Sequence, residues 1–181
     1  MSNEQVINLA YALHPTSEQT AKLSSHEGAV RYAYNYALHH TLTNWANVKN
    51  GTEAEYINTT AYAMRKKFNT EKDTIAPWWK ENSKEAYNTG FANYQAAIKN
   101  YYAKRTGLPR YKTKHLDNTE GITFTTGTRR LEDDRRHFTL PVIGTVRLHE
   151  RATKLAYLQR HGGRITNVTV KYSRCRWFLT V

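Results

Sequence analysis

The spacing of apolar residues changes period along this chain, and that change limits the folds open to it. From Gly28 onward, Val30, Ala33, Tyr34, Ala37, Leu38, Leu42 and Trp45 recur at helical spacing. They predict one apolar stripe along a helix. Beyond Asn50-Gly51 a second stripe follows, with Ile57, Ala61, Met64 and Phe68 on one side and Arg65, Lys66 and Lys67 on the other. A third comprises Tyr87, Phe91, Tyr94, Ile98 and Tyr101. Past Asp117 the period becomes alternating: Ile122 and Phe124, Phe138 and Leu140, Val146 and Leu148, Val168 and Val170, then Trp177, Leu179 and Val181. Short antiparallel strands are expected there, with turns around Asp133-Asp134 and across Ser173 to Cys175.

Local signals place the boundaries. Val6 to Leu13 reads as a strand stopped by His14-Pro15, and Thr16 with Gln19 has the spacing of a capping box that opens a helix to about Ser25. Asn82 and Ser83, after Pro77, mark a further helix start, and Gly107-Leu108-Pro109 closes the helical stretch. The first strand has no partner among four helices, so it is expected to join the later sheet. The fold class expected is α+β: an antiparallel β-barrel with an inserted helical bundle.

Charge divides the chain differently. Residues 1–98 hold nine Lys and Arg against nine Asp and Glu, whereas residues 99–181 hold eighteen against six, which accounts for all of the net +12. Between Lys99 and Lys114 six cations occur without an acid, interleaved with Tyr101, Tyr102 and Tyr111. Cations that neutralise phosphates beside flat rings that stack on bases suit nucleic acid. No amphipathic stretch has a wide apolar face edged by Lys and Arg, so a membrane surface fits less well.

The same inventory excludes other chemistry. No apolar run has the length of a spanning helix, and MSNEQVINL lacks the pattern of a secretion signal, so a cytoplasmic setting without membrane association is expected. Cys175, the single cysteine, supplies neither an internal disulfide nor a thiolate zinc site. Neighbouring His39 and His40 point in different directions on a helix and have no ligating partner four residues on. Glu132, Asp133 and Asp134 are adjacent at an expected turn and read as a solvated hairpin tip.

The sequence order itself is distinctive. YALHPTSEQ, GAVRYAYNYAL, WWKENSKEAYNTGFANYQAAIKNYYA, GLPRYKTK, FTLPVIGTVRLH and the pairing of VTVKYS with RWFLTV resemble the amino-terminal region of the TnpB (OrfB) proteins of bacterial insertion sequences, relatives of the type V CRISPR effectors. The likeness runs through nearly the whole chain. It implies a wedge-like barrel from residues 1–15 and 118–181, with a helix-turn-helix-like recognition domain, residues 16–117, inserted in it. It also implies that full-length relatives are RNA-guided DNA endonucleases, holding a guide RNA from the transposon end and reading a short duplex motif beside the target. The nuclease domain and zinc ribbon of the family are expected downstream of Val181 and absent from this chain. No catalytic residue, metal ligand or cofactor is therefore expected here, Mg²⁺ and Zn²⁺ belonging to the missing part, and the chain alone is expected not to cleave DNA.

Carried over by motif position, the resemblance implies that Tyr56, Lys84, Asn88, Thr125 and Thr126 read the target-adjacent motif. Lys84 and Asn88 are one helical turn apart, so both can enter one groove, Lys toward guanine or thymine acceptors and Asn toward adenine. The family more often carries Gln where Asn88 stands, so the preferred motif can differ. Arg110, Lys112 and Lys114 are expected on phosphates of the guide RNA or heteroduplex, with Arg31 a further candidate. Rival readings stay open: a nuclease-free DNA-binding regulator, a helix-turn-helix transposase domain that binds duplex DNA without a guide, or a remnant used for protein contact.

Overall fold

Thr16 and Gln19 form the capping box that their spacing predicts. The Thr16 N–H donates to Gln19 Oε1 at 3.0 Å, and the Gln19 N–H donates to Thr16 Oγ1 at 3.2 Å. A computed structural model describes residues 5–53, 55–114 and 121–181, which cluster in two compact units: residues 1–25 with 118–181, and residues 26–117.

The first unit is built on a seven-stranded antiparallel sheet. Its strands are β1 (Ala10–His14), β2 (Ile122–Phe124), β3 (Arg130–Leu131), β4 (His137–Leu140), β5 (Gly144–Leu148), β6 (Val168–Ser173) and β7 (Arg176–Thr180), in the order β2-β6-β7-β1-β5-β4-β3. As expected, the first strand joins the later ones. It lies between β7 and β5, with Tyr11 opposite Leu179 and Leu13 opposite Leu148. Alternation puts Tyr11, Leu13, Phe138, Leu140, Val146, Leu148, Val168, Val170, Trp177 and Leu179 in one buried layer.

The sheet is open, which corrects the expected barrel. Its edge strands β2 and β3 do not pair with each other. They have only three and two residues, too little ladder to close the sheet. The central strand also serves its neighbours in succession: Ala10–Ala12 pair with β7, while Leu13 and His14 pair with β5. An eight-residue helix, here α4 (Thr153–Arg160), lies between β5 and β6 and escaped the sequence reading. Leu155 is its single buried residue, too sparse a pattern to register as a stripe. The β6–β7 hairpin turns at Arg174 and Cys175, both at positive φ (50° and 62°) without a glycine, so Cys175 sits exposed at a tip.

The second unit is helical. Two helices expected to be separate are one, α1 (Ser17–Lys49), which starts among the residues of the first unit and continues through Gly28 in the second. A glycine in a helix interior costs about 1 kcal/mol relative to alanine. Buried neighbours offset this. Ala29, Val30 and Ala33 are packed away, and fully buried His26 accepts the Ser83 N–H on Nε2 at 2.9 Å. Next come α2 (Ala61–Ile75), a 3₁₀ turn at Pro77–Glu81 and α3 (Lys84–Tyr102). The second starts later than its stripe suggests because buried Asn44 holds the preceding chain. Its Oδ1 accepts the Ile57 N–H at 2.9 Å, its amide donates to the Glu55 carbonyl at 3.1 Å, and the Thr60 hydroxyl caps Ala63. Ser83 caps α3 by accepting the Glu85 N–H at 3.3 Å. The core joins Ala33, Tyr34, Ala37 and Leu38 of α1 to Met64 and Phe68 of α2 and to Tyr87, Phe91, Tyr94 and Ile98 of α3.

Candidate nucleic-acid interface

The two α3 positions singled out in the sequence lie on one exposed strip. Lys84 is the first helical residue after the Ser83 cap and is exposed; Asn88, one turn on, is half-buried. Asn88 is not isolated. Its Oδ1 accepts a hydrogen bond from Arg65 Nη1 at 3.3 Å, and Arg65 stands 5.9 Å over the ring of Tyr62, itself 68% exposed. Two turns further along α3, Gln95 Oε1 caps α2 by accepting the Ala61 N–H at 3.1 Å. Tyr56, 66% exposed, projects from the connection that Asn44 anchors. The sequence pattern puts Arg65 on a polar helix side with Lys66 and Lys67 and does not single out Tyr62. Their spacing of three residues on α2 was the signal that they act together.

A second surface of the helical unit carries the basic run. The chain after α3 returns along α1, and Asn35 pins it by bonding both ways to one residue: its amide donates to the Lys112 carbonyl at 2.9 Å and its Oδ1 accepts the Lys112 N–H at 2.8 Å. The Tyr111 hydroxyl lies 3.3 Å from His39 Nδ1. Of the expected phosphate contacts, Arg110 and Lys114 are exposed. Lys112 is not similarly placed. Its Nζ lies 4.6 Å from the centroid of the buried Tyr34 ring, so part of its role is to close the core. Arg31 is half-buried on α1. Tyr101 and Tyr102 flank Trp45 at 6.0 Å each, Tyr102 remaining 61% exposed. Asn35 gave a faint signal, an amide within the apolar stripe YAYNYAL.

Between α1 and α2 lies a polar cluster. The Tyr36 hydroxyl donates to Glu71 Oε2 at 2.8 Å, and Lys67 pairs with Glu71 Oε1 at 2.7 Å. The Lys67 bond holds the Glu71 carboxyl below the usual carboxylate range. Burial lowers the His40 pKa, and the Lys67 charge adds to the shift. These groups lock the two helices together.

In the sheet unit Thr125 and Thr126 are exposed in the loop after β2. Arg129 braces that loop, donating from Nη1 to the Phe124 and Thr166 carbonyls at 2.9 and 3.1 Å. The acidic triplet builds its turn, since Asp134 Oδ1 accepts the Arg136 and His137 N–H groups at 2.8 and 3.1 Å and Glu132 accepts from Arg130. Among the described residues, no group of three or more His, Cys, Asp or Glu side chains is placed to hold a metal ion. No helix there is long and apolar enough to cross a membrane.

Comparison with known proteins matches residues 5–52 to the helix-turn-helix domain of the OrfB_IS605 family. A protein of Mycobacterium tuberculosis named as an RNA-guided DNA endonuclease is 37% identical over 185 residues, covering 92% of this chain. The chain thus carries the OrfB_IS605 domain at its N-terminal end and is similar over most of its length to TnpB-like proteins. Similarly named proteins of Streptomyces pristinaespiralis and Escherichia coli, the latter InsQ, are 32% identical over 58% of the chain and 22% over 94% of it. This chain covers 39% of the Mycobacterium relative and of InsQ, and 24% of the Streptomyces one. Its segment described as helix-turn-helix comprises β1 and an uninterrupted α1, so within that segment no turn separates two helices.

Proposed function

We propose that this chain is the nucleic-acid-binding part of a transposon-encoded, RNA-guided DNA endonuclease, working in the cytoplasm, and that it does not cut DNA by itself. In this reading the sheet unit is the wedge domain and the helical unit the recognition domain. Lys84, Asn88 and Tyr56 meet the target-adjacent duplex, with Thr125 and Thr126 contributing from the wedge, while Arg31, Arg110 and Lys114 contact RNA or heteroduplex phosphates. Lys112 adds mainly to holding that segment in place.

The observation that carries the reading is the shared strip of Lys84 and Asn88 on α3. A cation and an amide one turn apart form a donor and donor-acceptor pair suited to base edges in a major groove. Names of relatives that match over most of this chain support the guide requirement. The simple helix-turn-helix alternative is less favoured, because a recognition helix set off by a tight turn is missing from the segment that bears the description.

The test is purification from cells carrying the parent element, followed by a high-salt wash that strips nonspecific polyanion contacts and sequencing of the retained RNA. A single discrete RNA from the element's end is the expected result. Bulk RNA, or none, would replace the guided reading with guide-free DNA binding.

A further inference from the structure

Beside Asn88 the structure places a cation with no role in the reading above. Arg65 is exposed on the second turn of α2, holds Asn88 Oδ1 through Nη1 at 3.3 Å, and sits 5.9 Å over the Tyr62 ring. The backbone beneath it is fixed, since Met64 and Phe68 on either side are buried and the Ala61 N–H is capped by Gln95.

This contact changes what Asn88 can recognise. An asparagine amide pairs with adenine by using both halves: the NH₂ donates to N7 and the oxygen accepts from the exocyclic N6 amine. Arg65 takes one of the two lone pairs of Oδ1, and its guanidinium, which carries donors only, stands on that side and opposes the approach of another donor such as the N6 amine, so the NH₂ half is the one left to meet a base. The guanidinium, a rigid fork of N–H donors, lies alongside it. Together they present donors to a base edge, and guanine is the base whose major-groove edge offers two acceptors, N7 and O6.

We propose that Arg65 is a specificity-determining residue that positions the Asn88 amide, so that the pair selects guanine over adenine at one base pair of the duplex motif. The inference rests on the proposal that the α3 strip faces duplex DNA. Tyr62 acts as the support that keeps the guanidinium over the pair.

The experiment is selection by the full chain, with its co-purifying RNA, from a library of DNA duplexes randomised over the contacted motif, followed by sequencing of the bound fraction. Wild type is expected to enrich guanine at one position. Arg65→Ala is expected to shift the guanine-to-adenine ratio there about tenfold toward adenine, leaving other positions unchanged. Arg65→Lys, which keeps the charge but not the fork, is expected to hold total affinity yet show the same shift. An unchanged guanine preference in Arg65→Ala, beside altered preferences in Lys84→Ala and Asn88→Ala, would overturn this assignment and leave the α3 reading intact. Uniform weakening on every sequence would make Arg65 a phosphate contact and overturn it too. Loss of no preference in any of the three variants would overturn the α3 reading as well. Arg65 is exposed, and an unchanged thermal midpoint in each variant checks that folding is not the cause.

Discussion

Two lysines two residues apart in the same basic run are expected to behave differently. Lys114 is exposed, whereas the Lys112 ammonium is 4.6 Å from the Tyr34 ring and its backbone is held on both sides by Asn35. A phosphate contact releases condensed counterions, so losing one lowers the slope of log affinity against log salt by about one unit. Lys114→Ala and Arg110→Ala are each expected to lower that slope for RNA binding by about one. Lys112→Ala is expected to lower it less while reducing the thermal midpoint, a contrast that a salt titration and a melting curve read together. Composition made the cations legible but could not rank them, because rank depends on Asn35 and Tyr34, more than seventy positions earlier. Arg129 makes the same point: counted among the excess cations, it donates to two carbonyls of its own unit.

At the level of elements, the crossing of α1 and α3 turns on Gly90. A Cβ built there would lie 2.4 Å from the Val30 carbonyl oxygen and 2.7 Å from Ala33 Cβ, both on α1, so neither neighbour can yield without moving a helix. Gly90→Ala gains helix propensity of about 1 kcal/mol, but overpacking a close helix contact costs typically about 1–3 kcal/mol, and a clash with backbone belongs at the upper end. Net destabilisation of about 1–2 kcal/mol is expected, seen as a lower denaturant midpoint, whereas Gly51→Ala, with open space around it, is expected to change stability through its positive φ alone. Helix periodicity made α2, α3 and the stripe of α1 legible, and capping residues Thr16 and Ser83 located two starts. The tertiary bonds that overrode local signals were not legible: His26 receiving the Ser83 N–H through an expected break, and Asn44 delaying α2.

The whole molecule redistributes what the sequence separates. Net charge concentrated after residue 98 in the chain is divided evenly once folded. Residues 1–25 with 118–181 carry thirteen Lys and Arg against seven acids, and residues 26–117 carry fourteen against eight, so each unit has a net +6. Each is thus equipped on its own to attract a polyanion, which agrees with the proposed nucleic-acid-binding role. The sheet shows the same long-range dependence. Its central strand β1 is the earliest element, and its partners β5 and β7 begin at Gly144 and Arg176, so the ladder cannot close until nearly the whole chain has been made. Pairings of such separation pay their loop-closure entropy before any contact forms, and they make folding slow. A single charge on β1 is therefore expected to disrupt strands far away. Leu13→Asp would bury a carboxylate opposite Leu148, where desolvation has no compensating partner, and would destabilise the sheet by more than about 3 kcal/mol. Hydrogen exchange is the measurement that checks this: amide protection in β7 and β5 should fall together, because both ladders end on the same five residues. Loss confined to β5 would instead mean that the β7 half of the sheet holds without the end of β1 that Leu13 secures.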